Sequence, residues 1–389
     1  MQIEQKHIDT LRAHFAEMQN KEELALLLSA AKNILYGKVC KPISVKSLNY
    51  YANPEYCKQR YKTFAIKKKS GGTRTIHAPV EGLKTKLRAL NFALQCLYDP
   101  HKAATGFVRE KSIVDNAKCH VGHNYVFNID LKDFFHSFDR NRVKIGFMSE
   151  PFNLNGEKEP LAFLLASLCT HPFEIDGIQQ IVLPQGSPTS PTITNILCRK
   201  LDHRLSGLAK RFGATYTRYA DDMTFSSDHN IYGNEDFRNE LVRIIEEDQK
   251  LKINPDKTRL QKTGYRQETT GLVVNDKVNV TRRYVKQIRM YIYYWEKYGY
   301  EKAEQVFKKD YTLDKGSTKK KTPSLINVID GKLNFLKMVK GSEDGTYKGL
   351  RGRFDSLAGV FDPINEVLDA WEKNGIDEAV SLYFKLNAD

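Results

Sequence analysis

Cysteine is sparse in this chain. Six residues (Cys40, Cys57, Cys96, Cys119, Cys169 and Cys198) stand scattered among 389 with no pairing motif. That excludes a disulfide-stapled scaffold and fits a reduced compartment. Long apolar runs are missing too: none reaches the roughly 18 residues that span a bilayer. The opening Met-Gln-Ile-Glu-Gln-Lys-His lacks the basic-then-apolar pattern of a secretion signal. The expectation is a soluble, cytoplasmic protein without a membrane partner. Acidic charge is in short supply, with 47 Asp and Glu against 61 Lys and Arg, a net +14 and a pI near 9.2. Such an excess points to a polyanion, most simply nucleic acid. The length suffices for two or three sub-domains around sizeable cores.

Against that background one acidic pair stands out, in Tyr219-Ala220-Asp221-Asp222. The flanking runs, Ala214–Arg218 and Met223–Ser226, are rich in β-branched and aromatic residues. They predict a β-hairpin with two carboxylates at its tip. Turns favour Asp regardless of function, so the dipeptide alone is ambiguous. Adjacent carboxylates repel, and a fold that fixes them together usually supplies a cation; hard oxygen ligands favour Mg²⁺. A third carboxylate, Asp130, lies about ninety residues earlier in Tyr125-Val126-Phe127-Asn128-Ile129-Asp130-Leu131. Strand alternation there puts Phe127, Ile129 and Leu131 on one face and Asn128 and Asp130 on the other. Three such carboxylates suit a two-metal phosphoryl-transfer site, whose cations lie about 3.5–4 Å apart.

Three motifs now resemble the palm of reverse transcriptases in order, spacing and residue type. They are Asp130-Leu131-Lys132-Asp133-Phe134-Phe135, Leu183-Pro184-Gln185-Gly186-Ser187-Pro188-Thr189-Ser190-Pro191 and Tyr219-Ala220-Asp221-Asp222. Further stretches are similar to the retron branch. Asn116-Ala117 followed by His120 has its spacing. Thr269-Thr270-Gly271 stands where that branch typically has Val-Thr-Gly, so it departs at Thr269. Gly331–Lys337 is similar to retron thumbs.

The resemblance implies an α+β right-hand polymerase fold. Its expected parts are an N-terminal helical extension (1–60), fingers (61–125) and a palm with an antiparallel sheet (126–270, with a finger-side insertion at about 140–182). A helical thumb (271–350) and a helical tail (351–389) follow. It also implies site roles. Asp130, Asp221, Asp222 and the Leu131 carbonyl would hold two Mg²⁺ ions. Lys68, Arg74, Asp133, Phe135, Gln185 and Lys257 would meet the dNTP, and Asn116, His120, Thr270 and Gly271 the RNA or primer. Arg74 suits phosphate because its fork bonds oxygens in pairs. Phe135 would leave no room for a 2′-hydroxyl, while Phe134 and Phe138 fit a core better. Gln185 and the Gly186 backbone would lie against the new base pair, where glycine permits close approach. Lys257 could neutralise or protonate the leaving pyrophosphate, or be an exposed loop lysine.

The partners implied are a cognate structured non-coding RNA, dNTPs, a branched RNA–DNA product (msDNA) primed from a 2′-OH, and a separate effector protein in anti-phage defence. Two alternatives stay open: another prokaryotic reverse transcriptase, of group II intron or diversity-generating type, and a catalytically silent RNA-binding scaffold. Cys119, His120 and His123 invite a zinc reading, but no second ligand pair stands at zinc-finger spacing.

Elsewhere periodicity predicts one helical region over 6–36 with Asn20 as a cap, and a hairpin turning at Ser70-Gly71-Gly72 with Lys67, Lys68, Lys69 and Arg74 at its tip. It also predicts helices over 81–99, 160–169, 190–208 and 236–250, and one or two short amphipathic helices over 360–389. Residues 257–340 hold about twenty basic residues against eight acidic ones, interleaved with Tyr284, Tyr291, Tyr293, Tyr294, Trp295, Tyr298 and Tyr300. That mixture suits backbone contacts and base stacking. Gly316–Pro323 reads as a basic loop.

Overall fold

The computed structural model describes residues 3–67, 72–175, 177–315, 322–360 and 363–387. The chain divides into two compact units, Met1–Lys277 and Val278–Asp389.

The first unit opens on three helices, α1 (Gln5–Glu17), α2 (Lys21–Tyr36) and α3 (Val45–Ala52). The single helical region expected over 6–36 is two helices. Asn20 accepts from the Glu23 N–H at 2.9 Å while Glu23 takes the Gln19 N–H, and this reciprocal cap starts α2 afresh. Strands β1 (Tyr61–Lys67) and β2 (Thr73–Pro79) pair as the expected antiparallel hairpin. Lys68, Lys69, Ser70 and Gly71 lie outside the described residues. Then come α4 (Glu81–Leu97), whose leucine stripe is buried, and α5 (Ile113–Lys118), started by a Ser112–Asp115 capping box. Next are β3 (Tyr125–Lys132), α6 (Arg140–Met148), α7 (Glu159–Cys169) and a hairpin of β4 (His171–Ile175) with β5 (Ile178–Val182). The helix expected over 190–208 is two, α8 (Ser190–Leu197) and α9 (Arg199–Arg211), divided at Cys198.

β6 (Thr215–Tyr219) and β7 (Asp222–Ser227) follow, then α10 (Glu235–Val242), which runs on as a π-helical turn to Asp248. β8 (Lys252–Lys262) and the short pair β9 (Glu268–Thr269) and β10 (Leu272–Val273) complete the unit.

A four-stranded antiparallel sheet, in the order β6-β7-β3-β8, organises this unit. Its two faces differ as the alternation demands. One carries Tyr216, Met223, Phe225, Phe127, Ile129 and Leu131. These share a core with Leu201, Leu205 and Leu208 of α9 and Phe237 and Leu241 of α10. The other carries Thr217, Thr224, Ser226 and Asn128, all buried although polar.

Residues 103–106 run beside the end of β6. The Arg218 N–H donates to the Ala103 carbonyl and the Thr105 N–H to the Arg218 carbonyl, each at 2.8 Å. Gly106 then lies flat on the hairpin turn: a Cβ there would meet Ala220 N at 2.6 Å and Tyr219 C at 2.9 Å, both backbone atoms.

Among the described residues of the second unit the elements are all helices: α11 (Arg282–Tyr298), α12 (Tyr300–Lys315), α13 (Leu325–Lys340), α14 (Gly345–Val360), α15 (Pro363–Asn374) and α16 (Ile376–Asn387). Its core gathers Ile288, Tyr291, Ile292 and Trp295 with Phe307, Leu333, Leu336 and Phe354. The aromatic run of α11 is thereby sorted, Tyr291 and Trp295 inward and Tyr293 and Tyr298 outward. Residues 316–321 of the expected basic loop lie outside the described residues. Among those described, no helix is long and apolar enough to cross a membrane.

Gly106→Ala should cost about 1–3 kcal/mol, because backbone cannot yield as a side chain does. Gly207→Ala, in an exposed turn of α9 with nothing within 4 Å of the added methyl, should instead gain up to about 1 kcal/mol. Equilibrium unfolding of the two variants checks the contrast.

Candidate active site

Three carboxylates meet at one end of the sheet because of register and turn length. Asp130 on β3 faces Asp222 on β7 as a register pair, so both side chains leave the same sheet face. Asp221 sits between β7 and β6 in a two-residue turn, Ala220-Asp221, closed by the Tyr219↔Asp222 pair. Ala220 has φ of 59°, a left-handed backbone costing a non-glycine residue about 1–2 kcal/mol. The turn is tied to β3 by the Leu131 N–H, which donates to the Asp221 carbonyl at 3.1 Å. On the other side Arg218 Nη1 donates to the Ala220 carbonyl at 3.1 Å. Arg218 is itself buried in a two-pronged pair with Asp202 of α9. Removing one partner of such a pair typically costs about 3–5 kcal/mol.

The electrostatics follow from this crowding. Burial, then the neighbouring Asp221 and Asp130 carboxylates, push the Asp222 carboxyl up to about 7. Burial and Asp130 also raise Asp221, against the opposing pull of Lys257 and Arg74. Asp130 has two partners of its own. Lys257 Nζ lies 3.0 and 2.9 Å from its two oxygens, and Asn254 Nδ2 donates to Oδ2 at 2.9 Å.

Lys257 was expected in a loop or beside pyrophosphate; it lies within the span of β8. There the pairing with β3 jumps from Asn128↔Arg259 to Asp130↔Asn254, and the extra residues 255–258 carry Lys257 to the carboxylate. Among the described residues no three His, Cys, Asp or Glu side chains are grouped closely enough to hold a metal ion as they stand. Asp130 is instead paired with the Lys257 ammonium.

A cavity of about 480 Å³ opens in front of the turn. Arg74, Asp130, Leu131, Asp133, Phe135, Gln185, Asp221 and Lys257 line it, all singled out from sequence. Asp222 stands behind Asp221 and does not line it. Phe134 and Phe135 both border it, Phe134 with most of its ring buried, while Phe138 is fully buried away from it. Lys68 lies outside the described residues.

Gly186, with φ of 120°, makes room for β2: a Cβ there would meet Ile76 Cγ2 at 2.8 Å and the His77 carbonyl at 2.9 Å. The close approach it permits is thus to the fold's own hairpin, secured by the His77 N–H on the Gln185 carbonyl at 2.8 Å.

The chain is similar throughout this region to a known family. The family model described as reverse transcriptase (RNA-dependent DNA polymerase) matches residues 66–281, more than half of the sequence. The chain belongs to the reverse transcriptase family. Its curated relatives include retron enzymes. The chain is 38% identical to the Retron Mx65 reverse transcriptase of Myxococcus xanthus over 64% of its own length and 59% of that protein's. It is 40% identical to the Mx162 enzyme over 60% of its length and 52% of the relative's. To the Retron Ec86 reverse transcriptase of Escherichia coli it is 34% identical, over 60% and 70%. The match therefore spans less than two thirds of the two Myxococcus relatives, and within the family the chain is of the retron type. Among solved structures, apo telomerase from Candida Tropicalis is similar at a TM-score of 0.46 and 12% identity, over 87% of this chain and 68% of that one.

Two residues assigned to RNA or primer contact need correction. Asn116 and His120 are both fully buried. Asn116 Nδ2 donates to the Thr105 and Thr217 hydroxyls, and the His120 ring nitrogens bond Ser226 and Thr217 at 2.7 Å. They fasten α5 and its following turn to the polar sheet face and have no surface to offer a nucleic acid. With both ring nitrogens engaged, His120 is no zinc ligand either.

Thr270 and Gly271 form the tight turn between β9 and β10, both with positive φ. Sequence reasoning missed Asn254 and Phe107. Phe107 is an exposed ring that lines the cavity beside Phe135 and Tyr219. It follows Gly106 directly, and that glycine was the available signal.

Burial lowers the His120 pKa to about 3. Neutral His120 is the folded form, so its contribution is complete above the unfolded value of about 6.5 and is lost as pH falls below it. The stability advantage of wild type over His120→Gln should shrink by about 2 kcal/mol between pH 7.5 and pH 5 in urea titrations. RNA binding by the folded variant at pH 7.5 should be unchanged.

Proposed function

We propose that this chain is an RNA-directed DNA polymerase that starts from a 2′-OH of a cognate structured RNA and builds a branched msDNA. The observation that carries the reading is the cavity in which two of the three carboxylates share walls with Arg74, Phe135, Gln185 and Lys257. In this reading residues 61–125 act as fingers, 126–270 as palm and 271–350 as thumb, with 351–389 as a tail.

Asp130, Asp221, Asp222 and the Leu131 carbonyl are the groups that would hold divalent cations, taken here as two Mg²⁺. The fit rests on the unbalanced charge of the trio, visible in the raised Asp222 carboxyl and in the Lys257 ammonium drawn onto Asp130. Bound there, the ions would activate the attacking hydroxyl and neutralise the phosphate.

The remaining roles belong to the chain's own groups. Lys257 is more than half exposed, and such an ion pair is worth only about 0–1 kcal/mol. It releases Asp130 readily and then has a proton to give the leaving pyrophosphate. Arg74, with Lys68, grips the triphosphate through paired hydrogen bonds. Phe135 closes the space a ribose 2′-hydroxyl would need, Gln185 and Asp133 border the incoming nucleotide, and the Thr270-Gly271 turn meets the primer. Catalysis is mainly positioning and charge neutralisation.

In the second unit Arg282, Lys286, Arg289, Tyr293 and Lys297 recur along one exposed stripe of α11. That stripe suits a nucleic-acid backbone with a ring available for stacking. The resemblance to retron enzymes adds a separate effector protein and a role in anti-phage defence.

The test uses nucleic acid co-purified from cells that carry the native locus, treated with RNase and with a debranching enzyme. A discrete short DNA whose mobility shifts on debranching is expected from wild type and should be absent from Asp221→Asn. Linear or heterogeneous DNA would discard the retron product, and RNA alone in both preparations would favour the silent scaffold.

A further inference from the structure

Among the ion pairs of the described residues, Asp202–Arg218 alone has both side chains completely shut off from water. The guanidinium fork meets the carboxylate at two points, Nε to Oδ1 at 2.7 Å and Nη2 to Oδ2 at 2.6 Å. The Tyr216 hydroxyl donates to the same Oδ1 at 3.0 Å and gives the carboxylate a third bond. One arm of the fork remains, and Nη1 gives it to the Ala220 carbonyl.

A buried ion pair is seldom retained for stability, since well-packed apolar residues of similar volume do as well or better. What they cannot do is donate to a carbonyl. The carbonyl in question belongs to a left-handed alanine, a conformation that persists only where its surroundings over-determine it. The next residue is Asp221, and its own carbonyl is held by Leu131. A continuous line of bonds therefore runs from α9 through Asp202 and Arg218 to the acidic turn and across to β3.

We propose that Asp202 and Arg218 are positioning residues for nucleotidyl transfer: the fork, locked by Asp202, fixes the Ala220 carbonyl and with it the aim of Asp221 and Asp222. This rests on the polymerase reading above. Neither residue touches the cavity, so the pair acts on the rate of the chemical step rather than on nucleotide binding.

The test compares wild type with the apolar double variant Asp202→Leu/Arg218→Met in the full chain, on an RNA template with a DNA primer, dNTPs and Mg²⁺. The double variant should melt within a few degrees of wild type, keep its KM for dNTP within about threefold and lose kcat at least about a hundredfold. Amide hydrogen exchange in the 214–222 segment should quicken at least about tenfold while α4 keeps its protection. Adding Ala220→Gly, which adopts the left-handed turn without strain, should restore at least about tenfold of the lost kcat.

A folded double variant with kcat within about threefold of wild type and unchanged exchange overturns the proposal. So does a loss that Ala220→Gly leaves unrescued, which would assign the pair to general packing. If the double variant does not fold, Arg218→Lys replaces it, keeping the charge beside Asp202 but not the fork. The same loss of kcat and faster exchange are then expected, and wild-type behaviour overturns the proposal. If wild type itself makes no DNA, the polymerase reading falls, and the exchange comparison alone decides the clamp.

Discussion

Like charges resist being brought together, and this fold spends much of its structure doing that at one end of a sheet. Asp130, Asp221 and Asp222 crowd one turn, where burial and mutual repulsion push the Asp222 carboxyl up to about 7. The register of β3 and β7 sets two of them opposite one another. The third needs a two-residue turn with a left-handed alanine at its start. Gly106 pressed on the turn, Leu131 holding its far carbonyl and Arg218 holding its near one leave the turn little freedom to relax. Lys257 offsets part of the charge from a bulge in β8, through a contact weak enough to be exchanged.

The sheet separates these duties by face. Its apolar side is a conventional core under α9 and α10, into which a single ion pair is sunk. Its polar side is buried as well, beneath α5 and its following turn, where Asn116 and His120 meet the hydroxyls of Thr217 and Ser226. The carboxylates emerge only where that cover ends. Burying so many polar groups is affordable because nearly all are bonded. The network also makes the sheet end stiffer than apolar packing alone would.

The α+β architecture, the two hairpins and the carboxylate trio were legible in the sequence, since strand alternation and turn composition are local signals. The cavity-lining residues were legible only through resemblance, as nothing local distinguishes Gln185 or Phe135 from any other glutamine or phenylalanine. Asn116 and His120 misled because spacing reports a motif but not its direction, and both point into the sheet. An exposed loop was the alternative reading for Lys257, whereas β8 carries it in a bulge that also absorbs Pro255. The helix break at Cys198 was invisible to apolar periodicity, which continues through it, whereas the one near Asn20 was signalled by its capping residue. Asp202 gave no warning at all, because its partner Arg218 lies on another element and the pairing is purely tertiary.

The account stands on the trio carrying uncompensated negative charge that a divalent cation relieves. Denaturant unfolding of wild type and Asp222→Asn at pH 8, with EDTA or with about 10 mM Mg²⁺, measures this directly. A carboxyl whose folded pKa is raised destabilises the folded state increasingly as the pH climbs above its unfolded value, and fully once the pH passes the folded one. Without the cation, Asp222→Asn should therefore be the more stable protein, by about 2–4 kcal/mol. Mg²⁺ should raise the stability of wild type and leave the variant nearly unmoved. A wild type already as stable as the variant in EDTA, or an equal response of both to Mg²⁺, would contradict the account.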